Sequence, residues 1–111
     1  MYEYKATVTR VVDGDTFYAE VDLGFYVYTK ISFRLSNIDT AEIFRPSNAL
    51  EREHGFAAKA FLESLILNKQ VLIKSYKTEK YGRWLADVVT VEGIDVVQAM
   101  LDGGFSKLPV Y

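Results

Sequence analysis

The sequence predicts a small α+β domain, mainly β, with five strands and two helices in the order βββαββα. Three observations carry that expectation. The first 35 residues alternate apolar and polar side chains in three runs separated by short turns. One later stretch repeats its apolar residues at three- and four-residue steps. Eight tyrosines and seven phenylalanines lean the composition towards strands. With 111 residues the chain reads as a single domain spanning 1–111, long enough to bury roughly two-thirds of its unfolded surface. Half the residues are hydrophobic and 25% charged, a balance that argues against disorder.

Tyr4 to Val12 forms the first expected strand, with Ala6, Val8 and the Val11-Val12 pair set between Lys5, Thr7 and Arg10. Asp13-Gly14 is a tight-turn signal. Thr16 to Leu23 resumes the alternation, placing Phe17, Ala19 and Val21 opposite Tyr18, Glu20 and Asp22. Gly24 turns the chain again, and Phe25 to Leu35 reads as a long third strand. Ser36 to Asn48 is loop chemistry, with Asn37, Asp39, Pro46, Ser47 and Asn48. Ala57, Ala58, Phe61, Leu62 and Leu65 then give one apolar helical face over about Glu53 to Leu67, closed by Asn68. Val71 to Lys77 and Trp84 to Val91 are the last two strands. After Glu92-Gly93 comes a short helix, capped by Asp95 with Gln98 as capping-box partner and ended by Gly103. Its apolar residues are Val96, Val97, Met100 and Leu101. Five such strands bury more when curled into a barrel than when left as an open sheet.

There is no cysteine, which rules out disulfides and thiolate metal sites. The start lacks a basic segment followed by an apolar one, and no apolar run is long enough to span a membrane. A cytoplasmic protein is therefore the expectation, a secreted one if a leader has been removed. The net charge of −2 argues mildly against a nucleic-acid partner. Against this, Lys69, Lys74, Lys77, Lys80 and Arg83 fall in one stretch opposed only by Glu79, either a phosphate-holding face or a solvated strand edge.

Three short segments carry the chemistry: Asp13-Gly14-Asp15-Thr16, Arg34 through Asp39-Thr40-Ala41-Glu42, and Tyr81-Gly82-Arg83. Taken singly, the carboxylates are ordinary turn and cap residues and the arginines ordinary surface ion-pair partners. Together they supply the parts for phosphodiester hydrolysis. Asp15 and Asp39 meet if the ends of two strands come together. Two carboxylates, a backbone carbonyl and waters suit Ca²⁺ or Mg²⁺ rather than zinc. The one histidine, His54, lies within the helix and reads as a surface residue. Arg34 sits among Ile31, Phe33, Leu35 and Ile38, where a charge needs a partner or a cleft. Arg34 and Arg83 can clamp a phosphate and stabilise the charge that builds on its oxygens. Glu42 is the natural general base for an attacking water, or else orients that water. Trp84 reads as a packing residue, and Phe44-Arg45 as a lesser candidate for substrate contact.

At these positions the chain resembles staphylococcal nuclease (thermonuclease) homologues. The resemblance rests on Val11-Val12-Asp13-Gly14-Asp15-Thr16, on Phe33-Arg34-Leu35 with Ile38-Asp39-Thr40-Ala41-Glu42, and on Thr78-Glu79-Lys80-Tyr81-Gly82-Arg83-Trp84-Leu85-Ala86. It runs from about Thr7 to Tyr111 with the motif order preserved. It implies an OB-fold Greek-key barrel with two packed helices, and Ca²⁺-dependent cleavage of DNA and RNA. In that family water attacks phosphorus, the 5′-oxygen is released and 3′-phosphate ends remain, and the resemblance implies the same here. By position, Asp15, Asp39 and the Thr40 carbonyl would hold Ca²⁺, with Asp13 supporting that loop. Arg34, Glu42 and Arg83 would be catalytic, and Lys80, Tyr81 and Tyr111 would contact the nucleotide.

Some positions depart from the pattern. Ala41 replaces a proline usual in the family, which leaves the loop holding Glu42 less rigid. The hairpin from Phe17 to Phe33 is longer than in the secreted enzyme. The segment Lys107-Leu108-Pro109-Val110-Tyr111 matches only approximately, and the chain stops before the family's last helix. The expectation that follows is lower stability, or burial of a barrel face in a homodimer or against a partner. Single-stranded or flexible nucleic acid is the expected substrate, because a barrel face can stack splayed bases. The rival readings are a catalytically silent OB-type binding module and a protein-interaction domain.

Overall fold

In a computed structural model the first three alternating runs become antiparallel strands β1 (Tyr2–Asp13), β2 (Thr16–Asp22) and β3 (Tyr28–Leu35). Helix α1 (Ala49–Ile66), strands β4 (Gln70–Thr78) and β5 (Trp84–Thr90), and helix α2 (Val96–Asp102) follow, giving the expected βββαββα order. The structure describes residues 2–41, 43, 49–78 and 82–106, with backbone only for Tyr2, Tyr76, Lys77 and Thr78. Among the described residues no helix is long and apolar enough to cross a membrane.

The strands close in the order β1-β2-β3-β5-β4, the five-stranded OB-fold arrangement. Closure depends on the length of β1. Its first half, Tyr2 to Thr7, pairs with β4, and its second half, Ala6 to Asp13, pairs with β2. A strand serving two neighbours must bend, and irregularities between Val8 and Arg10 and between Val11 and Asp13 supply the bend. The remaining seam is a short parallel pairing of β3 with β5, Phe33 to Leu35 against Trp84 to Ala86.

The alternation read from the sequence is the burial pattern. Val8, Val11, Phe17, Ala19, Val21, Phe33 and Leu35 all point into the barrel. The rings of Phe17 and Phe33 stack across β2 and β3 at 5.5 Å. Burying each such ring stabilises by about 1.5–3 kcal/mol. Ala58, Leu62 and Ile66 of α1 and Val96 and Met100 of α2 complete the same core. Asn68 ends the first helix at φ +60, a left-handed conformation that asparagine tolerates, and its N–H donates to Val8 O at 2.9 Å.

Several boundaries and orientations differ from expectation. The third strand begins at Tyr28 rather than Phe25, because Phe25 and Tyr26 occupy the two central positions of a turn closed by Val27 N donating to Gly24 O. Both have positive φ, and both are almost fully exposed (97% and 96%). The first helix starts at Ala49, four residues before Glu53, and its buried side includes Glu51 and Gly55 while Ala57 is exposed. In α2 Leu101 is exposed rather than core-facing. Only half of the expected capping box forms: Asp95 accepts from Gln98 N, but the Gln98 side chain donates to Asp102 instead. Of the lysine-rich stretch, Lys80 and the Lys77 side chain lie outside the described residues. Lys69 donates to Ser64 O and Lys74 pairs with Glu3. Trp84, read as packing, is 39% exposed at the start of β5.

Candidate active site

The site lies where the β1–β2 turn meets the end of β3. Asp13 closes β1, and its Oδ1 accepts from Asp15 N at 3.1 Å, so the turn is held from within. Asp15 O in turn accepts from Leu35 N at 2.8 Å, which pins the turn to the end of β3. Gly14 is required by packing. A Cβ there would come within 2.6 Å of Ala58 Cβ and 2.8 Å of Thr40 Oγ1. The helix and the loop after β3 thus both press against the turn at the one residue without a side chain.

The Asp15 carboxylate is buried, with only 9% of the side chain exposed. Its Oδ1 accepts from Thr16 Oγ1 at 3.0 Å and its Oδ2 from Thr40 N at 3.3 Å. Arg34 then joins two carboxylates. Its Nη2 lies 3.5 Å from Asp15 Oδ2 and 3.2 Å from Asp39 Oδ1. Asp39 is 66% exposed, so its ion pair contributes less than about 1 kcal/mol. The contact with buried Asp15 is the stronger constraint. Arg34 Nη1 also donates to Leu35 O at 3.3 Å, which holds the guanidinium flat along the strand end.

Arg83 enters from the other side of the seam. Its Nη1 donates to Thr16 Oγ1 at 2.9 Å, and that hydroxyl donates onward to Asp15. Arg83, Thr16, Asp15, Arg34 and Asp39 therefore form one continuous polar chain. Its members come from three parts of the sequence, which the β2–β3 pairing and the β3–β5 seam unite. Thr16 was part of the motif but was given no role by sequence reasoning, since a hydroxyl beside an aspartate is usually a turn or strand residue. Nearby, Ser36 Oγ donates to Asp87 Oδ1, tying the end of β3 to β5.

The structure brings together Asp13, Asp15, Arg34, Asp39, Thr40 and Arg83. Glu42, Lys80, Tyr81 and Tyr111 lie outside the described residues, as do Phe44 and Arg45. His54 is exposed on α1.

A hard cation fits what is present. All donors are oxygen, and the two carboxylates converge on one positively charged nitrogen. Thr40 Oγ1 is buried beside them without a hydrogen-bond partner among the described residues. No cysteine is present, and zinc sites are usually built from Cys and His. Two carboxylates leave the rest of a shell to carbonyls and water, as Ca²⁺ and Mg²⁺ accept.

The chain is similar to several known proteins. An uncharacterized protein of Methanocaldococcus jannaschii is 35% identical, with 75% of this chain and 47% of that protein aligned. An uncharacterized endonuclease of Escherichia coli is 31% identical over 87% of this chain and 56% of its own length. The endonuclease YhcR of Bacillus subtilis is 32% identical over 98% of this chain but only 9% of its own. The chain thus spans about half the length of the first two relatives. The profile of the family described as staphylococcal nuclease homologue matches residues 32–110, more than half of the chain. That match begins beyond the Asp13–Thr16 turn, so Asp13 and Asp15 are joined to the rest of the site by the contacts above. The chain belongs to the staphylococcal nuclease homologue family.

Proposed function

We propose that this domain is a Ca²⁺-dependent phosphodiesterase that cleaves DNA and RNA, with single-stranded or flexible strands preferred. The observation that carries the reading is the convergence of Asp15 and Asp39 on one Arg34 nitrogen, with Arg83 chained to the same carboxylate through Thr16. Two matched relatives bear the name endonuclease, which supports the same class of reaction.

Asp15, Asp39 and the Thr40 carbonyl would hold the cation. When bound, it supplies positive charge that draws in the phosphate and steadies its developing negative charge. The chain's own residues do the rest. Arg34 and Arg83 donate N–H groups to the phosphoryl oxygens. Such preorganised donors, removed singly, typically cost about 10²–10³ in rate. Glu42 accepts a proton from a water as its oxygen forms the new bond to phosphorus. The bond from phosphorus to the 5′-oxygen breaks, that oxygen takes up a proton, and a 3′-phosphate end remains. Asp13 steadies the turn that presents Asp15, while Lys80, Tyr81 and Tyr111 bind the nucleotide.

Arg34 lies against both carboxylates and offsets one of their two negative charges. A divalent ion would compete with it for the same oxygens, so occupancy of the site and release of Arg34 towards phosphate are linked.

The test follows cleavage of heat-denatured DNA in Ca²⁺, in EDTA and with Mg²⁺ in place of Ca²⁺, and identifies the product ends. Cleavage only in Ca²⁺, with 3′-phosphate products, supports the reading. A folded protein that binds oligonucleotide but leaves it intact in Ca²⁺ would make the domain a binding module.

A further inference from the structure

The irregularity in β1 between Val8 and Arg10 has a consequence beyond bending the strand. With strict alternation, Val8 and Arg10 would face the same way. Instead Val8 and Val11 are both buried, while Thr9 and Arg10 are both exposed. The extra residue re-phases the strand and puts Arg10 on the outer surface of the barrel, where bulges commonly re-aim side chains next to active sites.

Arg10 lies directly opposite Tyr18, and Tyr18 directly opposite Ser32. Directly paired residues share a face of the sheet, so these three form one row across β1, β2 and β3. The adjacent row is Thr16 opposite Arg34, the catalytic one. Tyr18 is therefore a diagonal neighbour of Arg34, about 7–8 Å away. Arg10 is two strands across and one step along from Arg34, about 12 Å between backbones. Two long guanidinium arms with an aromatic ring between them match adjacent phosphates flanking one base.

Charge gives this row an end. Arg10 makes no ion pair with any described residue. The next outward row beyond it, Thr7, Glu20 and Lys30, carries Glu20 at its centre. A strand leaving Arg34 across Tyr18 thus meets one further cation, beyond which the next row carries no net charge, Glu20 lying opposite Lys30.

We propose that Arg10 and Tyr18 form a subsite for the nucleotide next to the scissile phosphate, Arg10 holding its phosphate and Tyr18 stacking on its base. The proposal rests on the nucleic-acid reading above but not on cleavage itself, since binding alone would use the same row. Stacking on an aromatic ring tolerates any base, and a guanidinium reads phosphate without regard to sequence, so the subsite confers strand length rather than sequence preference.

The experiment compares wild type, Arg10→Ala, Arg10→Lys, Tyr18→Leu and Tyr18→Phe on the dinucleotide dTpdT and on an eight-nucleotide thymidylate. KM and kcat are measured in Ca²⁺, and anisotropy gives binding of the labelled octamer at several salt concentrations. Arg10→Ala and Tyr18→Leu are expected to raise KM for the octamer about tenfold, with kcat within twofold and no change on dTpdT. Arg10→Lys and Tyr18→Phe should recover most of the loss. The salt slope of octamer binding should fall by about 0.7 in Arg10→Ala, one single-strand phosphate contact. Unchanged octamer binding and KM in Arg10→Ala would overturn the subsite while leaving the nuclease reading intact, as would an equal loss on dTpdT. If the wild type binds the octamer but does not cleave it, the nuclease reading fails, and weaker binding by Arg10→Ala still supports the subsite. If the wild type neither binds nor cleaves, both fail.

Discussion

Thr16→Val removes one hydroxyl and keeps the side chain's shape, so it tests whether the polar chain at the site is mechanically real. In the wild type that hydroxyl donates to Asp15 at 3.0 Å and accepts from Arg83 at 2.9 Å. Bonds to charged groups contribute about 1.5–3 kcal/mol each. The Asp15 side is buried, so its full loss is felt. Arg83 is only half-buried and water takes over much of its bond, which discounts that side to below about 1 kcal/mol. The expected destabilisation is therefore about 2–3 kcal/mol, measured by urea unfolding. Activity should fall further, because Asp15 and Arg83 lose the one contact that links them, and a kcat/KM loss of about 10–100-fold is expected on denatured DNA. Thr16→Ser keeps the hydroxyl and should retain most of both. In a cycle with Arg83→Ala the two effects on rate should be strongly non-additive. The reasoning is refuted if Thr16→Val unfolds and cleaves like wild type, or if Thr16→Ser loses as much as the valine, since only the methyl would then matter.

Three further outcomes follow from the same contacts. Arg34→Ala leaves Asp15 and Asp39 without their shared positive charge, so its melting temperature should rise more on adding Ca²⁺ than that of wild type does; equal rises would show that Arg34 and the cation do not compete. Gly14→Ala drives a methyl against Ala58 and Thr40, at a cost of about 1–3 kcal/mol by chemical unfolding, and the second change Ala58→Gly should restore cleavage only in part, since it relieves the Ala58 clash and leaves that with Thr40. Replacing Phe25-Tyr26 by Asn-Gly suits a turn in which both residues have positive φ, and should stabilise by about 1–2 kcal/mol with unchanged cleavage; a loss of stability would mean the exposed rings pack on something.

Much of this architecture is legible in the residues because burial in β1 and β2 follows the alternation that the sequence displays. The sequence sets Phe17, Ala19 and Val21 opposite Tyr18, Glu20 and Asp22, and the three apolar residues are the buried ones. The start of β3 was misread for the same reason, since Phe25 to Val27 continues the strand-like composition while the backbone is turning. Helix α1 began early because its first turn buries Glu51, a carboxylate that an apolar-face pattern counts as outward. At the site, Asp15, Arg34, Asp39 and Arg83 were legible as motifs, and closure of the barrel brings them together. The Thr16 link and the outward turn of Arg10 were not, because a relay through a hydroxyl and a bulge are properties of pairing between strands, invisible within one. The two polar residues between Val8 and Val11 break the alternation, but which way Arg10 turns is set only once its partner strand is in place.

The most direct test of the central claim is the single-turnover rate of DNA cleavage in Ca²⁺ for wild type, Asp39→Asn and Arg83→Ala, beside their melting curves. Asp39 is largely exposed and Arg83 half-exposed, so the fold should tolerate both changes. The account predicts rates lower by at least about 10² in each variant, with melting temperatures within a few degrees of wild type. Cleavage that persists near the wild-type rate in both folded variants would place the chemistry elsewhere and contradict it.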